Sequence, residues 1–102
     1  MPANLLAISN SAFYGCNALT EIIFPPKVYR IEPGAFENCS NLQTVTFTTG
    51  TDANFSNLLF AYNIFDGCTN LKTINVPWAE GAVANAPWGA TNATINYNHT
   101  GE

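Results

Sequence analysis

Apolar positions along the chain recur in blocks and not in a single running period. Residues 12–24 read AFYGCNALTEIIF, residues 35–47 read AFENCSNLQTVTF, and residues 64–76 read IFDGCTNLKTINV. Phe13, Phe36 and Phe65 correspond, as do Cys16, Cys39 and Cys68, and Leu19, Leu42 and Leu71. Ile22, Val45 and Ile74 form a further column, and Phe24, Phe47 and Val76 another. The first step between blocks is 23 residues and the second is 29, so six residues are inserted between the last two. Ahead of each block lies one more apolar match, Ile8, Ile31 and Phe60, with Leu5 and Val28 extending it. Columns of this kind filled in three rows are the mark of an internal repeat.

Each block predicts two elements. The spacing Leu19-x-x-Ile22-x-Phe24 suits a strand whose inward side chains alternate, and such a strand finds hydrogen-bond partners only in neighbouring repeats. In Ala-Phe-x-x-Cys-x-x-Leu the apolar residues fall at i, i+1, i+4 and i+7, which predicts one or two helical turns on the opposite side. Pro25-Pro26 and Pro77 directly follow the strands, where a residue without an amide hydrogen ends the ladder. A unit of about 23 residues cannot bury its own apolar face, so the core lies between stacked units. The expected fold is therefore an α/β repeat solenoid of about three repeats, at roughly 5–27, 28–56 and 57–77, with a parallel strand ladder and short helical turns opposite.

The motif Ile-x-x-x-Ala-Phe-x-x-Cys-x-x-Leu-x-x-[Ile/Val]-x-[Phe/Val], closed by proline, resembles the BspA-like branch of the leucine-rich repeats over residues 5–77. That resemblance implies a repeat fold in a bacterial surface or secreted protein that works by adhesion or by binding protein or glycan. Ile64 departs from the pattern, standing where the family has Ala, and the insertion around residues 48–57 lengthens one corner. Residues 78–102 break the repeat, and their likeness to the closing segment of such proteins implies a C-terminal cap: a short segment from Glu80 to Asn85, a turn at Ala86-Pro87-Trp88-Gly89, and a last strand at Thr94-Ile95-Asn96-Tyr97. Leu5 and Ile8 already stand in the repeat register, so further repeats or another domain are expected ahead of residue 1.

Composition narrows the function. Of 102 residues 10% are charged, well below the roughly 25% of an average soluble protein, and fourteen Asn and eleven Thr take over the polar positions. With three basic residues against seven acids the net charge is −4, so no basic stripe exists to neutralise phosphates and nucleic acid is not an expected partner. Insertion of this segment into a membrane is not expected either, because no apolar run approaches the eighteen residues of a span.

Catalytic chemistry finds little to stand on. Cys16, Cys39 and Cys68 occupy one column and do not converge as the ligands of a tetrahedral metal site must, so they read as small buried apolar thiols. The single histidine, His99, lies in the tail, where nothing would hold it against a nucleophile. Glu37 and Asp66 share a column, with Tyr14 in the first row, and read as solvated surface in preference to a shared-proton pair or a calcium clamp. No enzyme, cofactor or metal is expected.

Two sets of residues are candidates for ligand contact. Trp78, Trp88, Tyr62 and Tyr29 fall outside the strict core columns and carry the flat amphipathic rings that sugar faces and protein hot spots use. For the tryptophans the leading alternative is a lid over the last repeat. The outward residues of the strands, among them Thr44, Thr46, Thr73 and Asn75, form a regular grid. The expectation is a non-enzymatic binding or adhesion module at a bacterial cell surface or outside the cell, with a structural spacer or capping module as the alternative.

Overall fold

The computed structural model describes residues 5–25, 28–47, 59–78 and 87–98. Seven strands run through them: β1 (Ala7–Ile8), β2 (Glu21–Phe24), β3 (Arg30–Ile31), β4 (Thr44–Phe47), β5 (Leu59–Phe60), β6 (Thr73–Asn75) and β7 (Thr94–Asn96). They form two parallel sheets, one ordered β1-β3-β5 and the other β2-β4-β6-β7. Neighbours among β1 to β6 come from successive repeats, and β7 of the C-terminal segment adds to β6. Ile22 therefore pairs with Val45 and Val45 with Ile74, which is the register that the sequence columns specify, and Ile95 of the C-terminal segment continues the row beside Ile74.

Alternation explains which side of the larger sheet is buried. In β2 and β4 the burial pattern switches at every residue, with Ile22, Phe24, Val45 and Phe47 inside. The apolar columns then stack ring on ring. Phe13 and Phe36 lie 4.9 Å apart, Phe36 and Phe65 5.9 Å, and Phe24 and Phe47 4.6 Å, all in stacked geometry. Among the described residues no polar or charged side chain is fully buried, and no buried side-chain polar atom lacks a partner. The interior thus draws on apolar burial and aromatic packing.

Two expectations need correction. No helix occurs among the described residues, and the Ala-Phe-x-x-Cys segments are chains of tight turns instead. Their amide hydrogens divide between two tasks. Ala35, Glu37 and Cys39 donate three residues back, to Glu32, Gly34 and Phe36, while Phe36 and Asn38 donate across to Ile64 and Asp66 of the next repeat. The first repeat does the same, with Phe13 and Gly15 donating to Ala35 and Glu37. An α-helix would spend those amides on its own carbonyls four residues back. Left-handed residues enforce the alternative, since Gly15, Asn38 and Gly67, which share a column, have φ of 68°, 61° and 78°. Ser11 and Gly34 repeat the device at φ 54° and 70°.

The second correction is that the Ile8, Ile31 and Phe60 column builds a sheet of its own, β1-β3-β5, where a mere apolar match was expected. The last strand covers Thr94–Asn96, one residue shorter than expected, and Pro87-Trp88-Gly89 forms the turn before it. The insertion around residues 48–57 and the segment from Glu80 to Asn85 lie outside the described residues.

Candidate functional site

The outward side of β2-β4-β6-β7 repeats polar chemistry in register from strand to strand. Strand pairing sets Glu21, Thr44, Thr73 and Thr94 in one row and Ile23, Thr46, Asn75 and Asn96 in the next. The middle residues of these rows are half-buried and those of β2 and β7 exposed. Hydrogen bonds run along the second row: the Asn75 side-chain amide donates to Thr46 Oγ1 at 3.2 Å, and that of Asn96 donates to Asn75 Oδ1 at 2.8 Å. Each amide is thereby fixed in orientation while keeping further donor and acceptor capacity, and each hydroxyl can both donate and accept.

A second polar ladder flanks this face. Ser40 donates to the Asn17 side chain at 3.0 Å, Asn41 to the Asn17 carbonyl at 2.8 Å, and Asn70 to the Ser40 carbonyl at 2.8 Å. These bonds join successive repeats at the approach to the strands, which steadies the sheet where its outer face begins. The face carries little charge, with Glu21 its only ionic group on a strand and Lys72 just ahead of β6.

The candidate residues separate into three groups. Thr44, Thr46, Thr73 and Asn75 come together on the outer strand face. Tyr29 and Tyr62 are exposed, at 43% and 70%, but adjoin the other sheet, just before β3 and just after β5. Trp78 and Trp88 are inside, at 4% and 0% exposure, and pack against Phe47 and Phe60 at centroid distances of 5.4–6.2 Å. Neither indole offers a face to a ligand, so the lid alternative describes their positions. Thr94 and Asn96 extend the grid and were not among the candidates. Their signal was present in the chain, because Thr94-Ile95-Asn96 repeats Thr73-Ile74-Asn75 letter for letter.

The thiols occupy a column without forming a site. Cys39 Sγ donates to the Phe13 carbonyl and Cys68 Sγ to the Phe36 carbonyl, each at 3.1 Å. Burial raises the pKa of both, that of Cys68 to about 12, since a thiolate there would lose its hydration. All three are free, and a raised pKa opposes nucleophilic reactivity. Among the described residues no group of three or more His, Cys, Asp or Glu side chains is placed to hold a metal ion. His99 lies outside the described residues.

A repeat unit that gives one strand to the β1-β3-β5 sheet, a turn carrying Phe and Cys, and a second strand pairing in parallel with its counterparts is thus on view in successive copies. The family model described as "BspA type Leucine rich repeat region (6 copies)" matches residues 1–80. The chain belongs to the BspA-type leucine-rich repeats. No curated protein and no solved structure matches it significantly. Within the BspA-type pattern the turn column Ala35 and Ile64 tolerates the larger side chain, and both residues are fully buried.

Proposed function

We propose that this BspA-type chain is a non-enzymatic binding module of a bacterial surface or secreted protein, with repeats stacked as a solenoid that presents the outer face of β2-β4-β6-β7 to a protein or glycan. The observation that carries the reading is the pair of in-register Thr and Asn rows, tied together from Thr46 through Asn75 to Asn96. Side chains already held in place lose less conformational freedom when a ligand arrives. Hydroxyls and amides spaced by one strand also suit the many hydroxyls of a glycan or the backbone of an extended peptide. With so little charge on the face, affinity rests on hydrogen bonds and responds weakly to salt.

A glycan and host-protein binding array with the isolated chain tests this. Thr73→Ala with Asn75→Ala is expected to weaken a true hit about tenfold, at roughly 0.5–1.5 kcal/mol for each hydrogen bond removed. The melting temperature should stay within a few degrees of the parent, because both side chains are only half-buried. Full retention of a hit in the double variant would reject the face as the site.

The second reading is a structural spacer or capping module in a larger surface assembly. It is favoured by the absence of any aromatic side chain among the outward residues of β2, β4, β6 and β7. Rings are what many binding faces use as anchors. An array without hits, for a chain shown to be folded, would support it.

A further inference from the structure

The polar grid on the outer face of β4, β6 and β7 has two different repeat distances. Along the rows, from Thr44 to Thr73 to Thr94 and from Thr46 to Asn75 to Asn96, residues pair directly, so the step is the distance between hydrogen-bonded strands, about 4.8 Å. Between the rows, from Thr44 to Thr46 or from Thr73 to Asn75, the step is two residues along a strand, about 6.6 Å. Neither row carries a charge on these three strands. Glu21 continues the first row on β2 and Lys72 stands just ahead of β6, opposite charges that give an anionic polymer no net attraction.

We infer, on the reading of this face as a binding site, that its ligand is a neutral, extended polysaccharide of β-1,4-linked pyranoses lying across the strands with one sugar ring to each. Every ring advances such a chain by nearly the distance between two strands, on the order of 5 Å, so successive rings meet equivalent places. An extended peptide lacks this match. Its residues advance by about 3.3 Å and its like-facing side chains by about twice that, so a peptide crossing the strands is out of step at the second of them. Laid along a strand instead, it meets only two positions of the grid.

The wider spacing between the rows is one that a pyranose bridges with the hydroxyls on its two sides. Alternate rings of a β-1,4-linked chain are turned over, so each row meets both kinds of edge. Thr hydroxyls and Asn amides donate and accept, and therefore serve either. The bonds from Asn96 to Asn75 and from Asn75 to Thr46 run along the row, as the sugar chain does, and leave each amide a second N–H to donate. Threonine methyl groups meet the ring C–H groups, in place of the aromatic side chain that the outward positions of these strands do not carry.

Isothermal titration calorimetry of the full chain with neutral β-1,4-linked oligosaccharides of glucose, mannose and N-acetylglucosamine, from the single sugar up to about six rings, tests the inference. For at least one series the affinity should rise about fivefold with each ring up to about three and then level off, since each ring adds about one net hydrogen bond. The α-1,4-linked glucose series, whose helical course leaves a straight row, should bind about tenfold more weakly at equal length. Asn75→Ala interrupts the middle of the grid and should abolish the steps while the chain stays folded by circular dichroism, whereas Tyr62→Ala, beside the other sheet, should leave them unchanged. Affinity independent of length, equal binding of the α-linked series, or steps that persist in Asn75→Ala would each overturn the inference. A protein hit that depends on Thr73 and Asn75, with none of these sugars bound, would overturn it too while leaving the face as a binding site. No ligand of either kind for the folded chain would end both.

Discussion

Cys39 and Cys68 show how one position in a repeat acquires its chemistry from its neighbours. Each thiol sits beneath the turn of its own repeat and donates to a carbonyl of the repeat before it, and burial, which outweighs the neighbouring backbone hydrogen bonds, favours the protonated form. The sign of the resulting pH dependence follows directly. Below pH 9 the folded and unfolded chains both keep these protons. Between about 9 and 12 the unfolded chain has released them and Cys68 in the folded chain has not, so stability falls as pH rises through that window. Melting curves from pH 7 to 11 should show this decline, and Cys39→Ala with Cys68→Ala should flatten it at the cost of a lower melting temperature at pH 7. In native-state titration with a thiol reagent, one of the three cysteines, Cys16, should react quickly and the other two slowly. Equal rates for all three would contradict the burial assigned to Cys39 and Cys68.

At the scale of elements, the turn that carries Phe and Cys depends on residues that can adopt a left-handed backbone. Gly67 stands at φ 78°, and a Cβ there would fall 1.9 Å from Asn38 Oδ1 in the repeat before it. Gly15, its counterpart, has φ 68° and open space around the same position. Gly15→Ala should therefore cost about 1 kcal/mol, the conformational penalty alone, and Gly67→Ala clearly more, because Asn38 must give way as well. Urea denaturation of the two variants measures the difference, and equal losses would mean that Asn38 adapts freely. The same turn marks where sequence patterning stops being informative. Apolar residues at i, i+1, i+4 and i+7 satisfy a helix as well as they satisfy a run of tight turns, because both bring those side chains to one side. What separates the two is where the amides of Phe36 and Asn38 go, to the next repeat, and only the left-handed residues at 11, 34, 15, 38 and 67 hint at that. The β2, β4 and β6 ladder was legible because alternation over three or four residues fixes a face. The β1, β3 and β5 sheet was not, since its strands are two residues long, and β1 and β3 show a single inward side chain each.

For the molecule as a whole, stability comes from columns that continue from one repeat to the next, and a column is only as secure as its ends. At the β7 end the columns of β4 and β5 finish on the two indoles: Trp78 and Trp88 lie 6.3 Å apart in an edge-on arrangement, and each also touches Phe47 and Phe60. Trp88 is held in place through its backbone too, since its carbonyl accepts the Phe65 amide where a following repeat would otherwise supply the acceptor. From the chain alone these rings were open to either a ligand or a lid, because a tryptophan outside the repeat columns has no partner that spacing can name. Their burial makes a strong prediction. Trp78→Ala and Trp88→Ala should each destabilise the chain by about 3–5 kcal/mol, as deletion of a buried large aromatic side chain does, out of a total of about 5–15 kcal/mol for a domain of this kind. Because the rings contact each other as well as shared neighbours, the double variant should lose less than the sum of the two single losses, by about 0.5–1.5 kcal/mol for the aromatic pair. Chemical denaturation followed by circular dichroism provides all three values. Single losses below about 1 kcal/mol would show that the indoles cover the last repeat without holding it, a loss too small for buried rings of this size.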